Sequence, residues 1–508
     1  MRRLKSHYLN LANTLDAEAN AEVLRLAHAL LASGLRGLTD VVPGYGSLHL
    51  EYDPAVLPTG DLRRALETAR SAPPASPPSE AGRVVELGVV YDGPDLEAVA
   101  HGAGVSAAEV VRRHSSTLYR AYAAGFAPGF TYLGDVDPVI RTPRLARPRQ
   151  RVPAGSVGIA DAQTGVYPLD SPGGWNLIGR AVTAVYDPRR AAPALIEAGD
   201  RVRFVPVEAR DAPAAAPGPP PALELLPEAP RHPVFLVHEP GLLDLVVDEG
   251  RLLVGRFGLA RSGPADPASA AIANGLVANG AQQALLEVNV AGPVLEALHD
   301  CVVALAGPSF RLLINGRAAE PYTATAVRRG DVLRFQPSSS GLRSYLAVAG
   351  GFQSGTFRGS ASVDMRGRIG RPLRAGDVLG VDQRRRSRAG FSFSPHGRAT
   401  ATLRLRLLPG PQFDGALVAA LAERPLRIIH TDRVGVRLET SGAAGGGVIS
   451  EGNPLGAVQL TAGGDPIILL NDRGTMGGYT KPAVVDPRDL PRLAQARAGT
   501  LVRFVLPQ

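Results

Sequence analysis

The chain has 508 residues, 45% of them hydrophobic, with a mean hydropathy of +0.02, which gives room for roughly three or four soluble globular domains with ample core. No run of about 18 apolar residues occurs, and the opening MRRLKSHYLN lacks the apolar stretch of a signal peptide, so a membrane role is excluded and a cytoplasmic location is expected. The net charge is +8, but of the 55 basic residues only Lys5 and Lys481 are lysines, and the arginines are scattered among few aromatics, a poor footprint for a nucleic-acid partner.

From the N-terminus, 1–70 reads as a small α+β domain. A helix is expected over Asp16 to Leu35, strand material with a Pro-Gly-Tyr-Gly turn over Leu38 to Tyr52, and a second helix over Leu62 to Ala69. No clear first strand is visible. The proline-rich run Ser71 to Pro78 follows as a spacer. Residues 82–209 read as a barrel-like β domain. Ser106-Ala107-Ala108-Glu109 fits a capping box opening a helix to about Ala124, with Val110, Val111, Leu118 and Tyr122 on an apolar stripe and His114 on or beside it.

Downstream, GFAPGFTYLG over Gly125–Gly134 and VPAGSVGIADAQTGVYPLDSPGGWNLIGR over Val152–Arg180 concentrate glycine, aromatic residues and the single tryptophan, Trp175. Glycine at this density marks barrel corners or a rim where backbone approaches a ligand. Tyr132, Arg144, Arg149, Ser156 and Thr164 form a first cluster suited to a carboxylate or phosphate, because guanidinium forks and convergent N–H groups bind such anions. The plain alternative is barrel corners with surface arginines.

The segment 210–230, with seven prolines between Pro213 and Pro230, is expected to be an extended linker that packs against nothing. Beyond it lie two further β domains, 231–398 and 399–508. Cys301 is the only cysteine, which excludes disulfide frameworks and Cys-based zinc sites; it reads as a strand residue in a core. No metal site is expected. Asp248, Arg251, Asp266 and Asn274 form a second cluster, for which a helix cap at Asp266 and a surface ion pair are the plain alternative. The run Arg384-Arg385-Arg386 reads as an exposed loop.

The turn-plus-strand motif at Gly199–Phe204 recurs at Gly330–Phe335 and Gly499–Phe504, which predicts three copies of one barrel-like domain. Thr475-Met476-Gly477-Gly478-Tyr479 likewise echoes Ser171–Trp175. The third cluster comprises Asp432-Arg433, Glu451, Gln459, Asp472-Arg473 and the Gly477-Gly478-Tyr479-Thr480-Lys481 turn. A chain that uses arginine almost everywhere keeps lysine here, as a flexible ammonium near a polarised carbonyl or phosphoryl group would require. Drift at a surface site is the alternative. No phosphate loop, His-Glu-x-x-His or Gly-x-Ser-x-Gly signature with partners appears.

GFAPGFTYLG and the glycine-rich segment resemble the first subunit of the bacterial 5-oxoprolinase/allophanate hydrolase subunit family. Ser262-Gly263-Pro264-Ala265-Asp266, Tyr345 to Gly351 and Ile449-Ser450-Glu451-Gly452 resemble the companion subunit. The resemblance covers nearly the whole chain and implies a fusion of two subunits with several cyclophilin-like β-barrels, giving a mainly β fold with an α+β N-terminal domain. It implies a component of an ATP-dependent 5-oxoprolinase, converting 5-oxoproline to L-glutamate with a separate lactam-binding subunit and inactive without it. ATP, with magnesium as its companion, is the expected cofactor, with no covalent biotin; an oligomer is compatible with the sequence. It implies catalytic roles for Lys481, Asp472, Glu451 and His114. Tyr132, Arg144, Arg149, Ser156, Thr164, Asp266, Arg433, Gln459, Gly477 and Gly478 are implied to bind substrate or nucleotide. Alternatives are a carboxyltransferase module acting on urea or allophanate and a regulator of a sensor histidine kinase. Three positions depart from the family pattern: Ala361 replaces an arginine, and Val363 and Met476 replace hydroxyl residues.

Overall fold

The computed structural model describes residues 4–72, 83–212, 217–383, 385, 387–394 and 402–506. Ser71 and Ala72 of the first proline-rich run are described and the rest is not; Arg384 and Arg386 also lie outside the described residues. The fold is mainly β, with 37% strand and 16% helix.

The N-terminal unit carries a three-stranded antiparallel sheet in the order Lys5–Asn10, Ser47–Tyr52, Leu38–Pro43. The first strand, absent from the sequence reading, is real; its KSHYLN shows no clean alternation, with Lys5 and Ser6 exposed and His7, Tyr8 and Leu9 all half-buried. Helices Ala17–Ala32 and Thr59–Ser71 pack on the sheet, the first capped by the Asp16 carboxylate, which accepts from Glu18 N and Ala19 N at 2.9 Å.

The helix opened by Ser106 is shorter than expected, ending at Ser116, and Leu118–Ala124 is a strand. Thr117 is extended, and Tyr119 and Ala121 then alternate into the barrel core at period two, which overrides the helical stripe. This strand belongs to a closed seven-stranded barrel in the order Asn176–Ala181, Val84–Val90, Arg201–Pro206, Leu118–Ala124, Thr131–Gly134, Gln163–Val166, Ser156–Ala160.

The C-terminal unit repeats this order strand for strand: Met476–Val485, Thr402–Pro409, Leu501–Val505, Leu426–Thr431, Gly435–Leu438, Pro466–Leu469, Ala457–Leu460. Pairing of Thr402–Pro409 with Met476–Val485 closes the ring. In both barrels the motif strand runs parallel to the first strand and antiparallel to its other neighbour. Matching hydrogen bonds recur at 2.8 Å: Ala181 N to Gly155 O and Val485 N to Gly456 O, then Gly199 N to Ala121 O and Gly499 N to Ile428 O.

The third copy of the motif does not make a third such barrel. Its strand, Val332–Pro337, lies antiparallel to both neighbours inside a six-stranded sheet. That sheet faces a five-stranded one across a shared apolar core, and the helix Pro267–Leu276 covers the outer face of the smaller sheet. A turn and an alternating strand encode local shape; pairing partners are a tertiary matter.

The described part of the proline-rich linker also departs from expectation, because it packs. Leu223 N donates to Arg368 O at 2.8 Å, and Leu225, 6% exposed, is buried with Tyr186 of the first barrel and Phe257 and Ile369 of the two-sheet unit. Proline forbids ladder formation without preventing an extended segment from inserting its leucines.

Candidate functional site

The two barrels share a structural device next to their glycine-rich strands. In the first, Asp95 N donates to Leu177 O at 2.9 Å and Leu177 N returns a bond to the Asp95 carboxylate at 2.6 Å. In the second, Gln412 N donates to Lys481 O at 3.2 Å and Lys481 N to Gln412 Oε1 at 3.1 Å. Gly93 and Gly410 precede these residues equivalently: a Cβ on either would meet the backbone of the same strand, Gly93 at Leu177 O and Gly410 at Lys481 O. Lys481 therefore occupies the place of Leu177.

The partners differ accordingly. Asp95 holds the Arg149 guanidinium bidentately at 2.6 and 2.8 Å, whereas Gln412 Nε2 donates to Glu451 Oε1 at 2.7 Å. The same Glu451 oxygen lies 3.1 Å from Lys481 Nζ, which also donates to Tyr479 O at 3.1 Å. The surface site, the alternative reading of Lys481, is overturned, since it is 0% exposed. Burial lowers its pKa, and the Glu451 carboxylate opposes that shift. Gln459 and Asn453 flank the strand: Gln459 Nε2 donates to Asn453 Oδ1 at 3.1 Å, and a Cβ on Gly477 would lie 2.8 Å from Gln459 Nε2. Gly478 sits over Val448 O, so both glycines give close backbone packing.

Asp472 and Arg433 belong to a different arrangement. The Arg433 guanidinium donates to Asp472 at 2.7 Å, to Glu287 Oε1 at 2.5 Å and to Gly263 O at 2.8 Å, which ties the second barrel to the two-sheet unit. Burial disfavours its charge, but Asp472 and Glu287 together outweigh that and raise its pKa. Asp266 is a saturated helix cap: it accepts from Ala268 N and Ser269 N at 3.1 Å, from the Ser269 hydroxyl at 2.7 Å and from Gln495 Nε2 at 2.9 Å. No acceptor capacity is left there for a ligand role. Asp248 is similarly held, by the Ser360 and Ser362 hydroxyls and by Ala361 N at 2.7 Å. Arg251, read as a surface pair, is buried and reaches Ser262 and Ser362 O.

The first predicted cluster does not converge. Tyr132 is buried in an aromatic group with Tyr45, Phe130 and Trp175, its hydroxyl 3.5 Å from Ser450 of the second barrel. Arg144 is more than half exposed beside Asp161, Arg149 is committed to Asp95, and Ser156 is buried on a barrel strand. Thr164 lies inside the barrel, donating to Gly158 O and bonded to His114 Nε2 at 2.8 Å. His114 itself is a core residue: its Nδ1 meets the Tyr91 hydroxyl at 2.7 Å, its ring stacks on Phe204, and burial pushes its pKa down to about 3. These contacts place His114, 0% exposed, in the barrel core.

The family departures fall on apolar ground as well. Ala361 and Val363 are buried in the cores of the two-sheet unit, and Met476 fills the contact between barrels.

Sequence reasoning missed the place where the N-terminal unit, the two-sheet unit and the second barrel meet. Glu51 pairs with Arg473, whose Nε donates to Asn453 O at 2.8 Å, and Leu455 N donates to Glu51 Oε1 at 3.1 Å. Glu51, Leu455 and Arg473 line a cavity of about 160 Å³ shared with Asp248, Arg261, Asn274 and Asn471. The signal was present: in SLHLEY, His49 and Glu51 alternate with Leu48 and Leu50, and all six residues are buried, so the polar face must be covered by something.

Two family models match the chain: carboxyltransferase domain, subdomain C and D, over residues 4–196, and carboxyltransferase domain, subdomain A and B, over residues 257–506. The B subunit of 5-oxoprolinase from Escherichia coli O157:H7 is 40% identical over 202 residues, spanning 39% of this chain and 90% of the relative. The C subunit of 5-oxoprolinase from Escherichia coli K12 is 31% identical over 280 residues, spanning 52% and 88%. The crystal structure of TTHA0988 superposes with a TM-score of 0.94 at 50% identity, covering 99% of this chain and all of that one. The chain belongs to the carboxyltransferase-domain family that includes the B and C subunits of 5-oxoprolinase, with both types joined in one polypeptide.

Proposed function

We propose that the chain is a component of an ATP-dependent 5-oxoprolinase, hydrolysing 5-oxoproline to L-glutamate with a separate lactam-binding subunit. The observation that carries this reading is coverage: one chain spans 90% of a B-type subunit and 88% of a C-type subunit. The two halves are also joined by a buried ion pair, Glu51 of the first with Arg473 of the second.

An unstrained five-membered lactam resists hydrolysis; transfer of phosphate from ATP to its carbonyl oxygen creates a leaving group, and water then opens the ring to give glutamate, ADP and phosphate. Within this chain we assign the charged centre to Lys481 with Glu451 and Gln412, and a supporting role to Asp472 and Arg433. ATP is a co-substrate in this reading and brings its own magnesium; among the described residues no group of three or more His, Cys, Asp or Glu side chains is placed to hold a metal. A cytoplasmic location, where ATP is supplied, fits the reading, and no helix of the described residues is long and apolar enough to cross a membrane.

The test is phosphate release from ATP together with glutamate formation, using 5-oxoproline, urea or allophanate, with and without the candidate partner. Turnover of 5-oxoproline only in the partner's presence is expected. Turnover by the chain alone contradicts the partner's role, and activity confined to urea or allophanate replaces this reading with the carboxyltransferase module.

A further inference from the structure

The cavity between the N-terminal unit, the two-sheet unit and the second barrel has apolar walls that include Leu4, Ala270 and Leu455, with Asp248, Glu249 and Arg261 from the two-sheet unit also in its lining, and a buried ion pair at one end. That end is built by Glu51, 3% exposed, and Arg473, 8% exposed. Their bonds are accounted for atom by atom. Arg473 uses Nε on Asn453 O and Nη2 on Glu51 Oε1, and Glu51 Oε1 also accepts from Leu455 N. Among the described residues, Arg473 Nη1 and Glu51 Oε2 make no hydrogen bond. Asn471 spends its amide N–H groups on Ser262 O and Pro264 O, which leaves its carbonyl oxygen as a further acceptor.

The polarity of this end is fixed. Burial would favour a neutral Glu51, but Arg473, His49, the Leu455 N–H and the Arg261 charge together outweigh it and hold the carboxyl below its ordinary pKa, so Glu51 can only accept and Arg473 can only donate. A carboxylate ligand would face the Glu51 charge, and a cation would face Arg473. A neutral group with a donor and an acceptor side by side meets neither penalty. The N–H/C=O edge of a ring amide or a urea has that pattern.

We propose that this cavity binds a small neutral amide by its edge, with Arg473 Nη1 donating to the carbonyl oxygen and Glu51 Oε2 accepting from the N–H. This rests on the preceding functional reading only for the choice of probes, since lactam and urea share the edge. Leaving a buried acceptor unpaired is costly, so a ligand without the N–H should bind about tenfold more weakly or worse.

The experiment titrates the full chain, without partner or ATP, with 2-pyrrolidinone, N-methyl-2-pyrrolidinone and urea, observed through the ligands' NMR line widths. Ala271 lines the cavity from an exposed helix position, so Ala271→Phe fills the space without touching the core, and Ala271→Ser controls for the site of change. Expected are saturable binding of 2-pyrrolidinone or urea, at least tenfold weaker binding of the N-methyl compound, and loss of binding in Ala271→Phe but not Ala271→Ser, with melting temperatures unchanged. Saturation by the lactam and not by urea assigns the edge to a ring amide, and the reverse assigns it to a urea. Equal binding of the N-methyl compound, no binding by the wild type, or undiminished binding in Ala271→Phe overturns the inference. None of those results bears on partner-dependent turnover, which tests the functional reading separately.

Discussion

The first and second barrels share one strand order and the same backbone bonds, yet they fill one equivalent position in opposite ways. In the first, Leu177 joins an apolar and aromatic cluster while Asp95 and Arg149, both partly solvated, form an ordinary ion pair. In the second, a lysine with no exposure sits in that place, beside a carboxylate that is 5% exposed. The sister barrel demonstrates that the fold closes without a buried cation. Buried ion pairs are often no better for stability than apolar residues of similar volume, so the second barrel carries charge that folding does not demand. The proposed function assigns its charged centre to this buried pair.

The largest expected effect comes from breaking that pair on one side. Lys481→Met should lower stability by about 3–5 kcal/mol, because Glu451 is left charged and buried with only Gln412 to bond it. Chemical denaturation checks this, and a change below about 1 kcal/mol would return Lys481 to an accessible, dispensable role.

A smaller effect is expected in the first barrel. Arg149→Leu removes a bidentate pair whose side chains are 28% and 14% exposed, and should cost about 1–2 kcal/mol while leaving partner-dependent turnover within about twofold. A loss of turnover exceeding what the melting curve explains would restore Arg149 as a ligand-binding residue and erase the contrast between the barrels.

A third effect, similar in size, separates a core histidine from an acid–base catalyst. His114 falls to about 3 because burial disfavours its charged form, against an ordinary 6.5. Its neutral state in the fold is fully compatible with stability above pH 6.5, and stability is lost as the pH falls from 6.5 towards 3, because the unfolded chain takes the proton first. At pH 5 that amounts to roughly 2 kcal/mol. The His114 ring signals should show no titration between pH 8 and pH 5; a midpoint near 6.5 would contradict its burial.

How much of this was legible depended on whether the signal was local. Asp16 and Ser106 cap helices as their sequence contexts say, because a cap needs only the next three residues. The repeat of Gly199–Phe204 at Gly499–Phe504 pointed to two like barrels, but the copy at Gly330 misled, since the motif carries no information about which strands flank it. Leu118 to Ala124 reads as the end of a helix until the barrel supplies Val202 and Phe204 as neighbours of Tyr119. The burial of Lys481 was invisible for a related reason: its partners Gln412 and Glu451 come from distant segments, and a lone lysine after a glycine turn looks like surface. Gln412 could have been found only by aligning Gly93 with Gly410.

If the buried pair of the second barrel serves chemistry and not folding, its charges can be removed together at no cost to the fold. The double variant Lys481→Leu/Glu451→Gln tests this most directly, since it restores the leucine of the sister barrel, removes both charges and keeps an acceptor for Gln412. Its melting temperature should equal or exceed that of the wild type, while ATP turnover with 5-oxoproline and the partner should fall at least 100-fold. A double variant that folds as well as the wild type and turns over at the wild-type rate would contradict the claim.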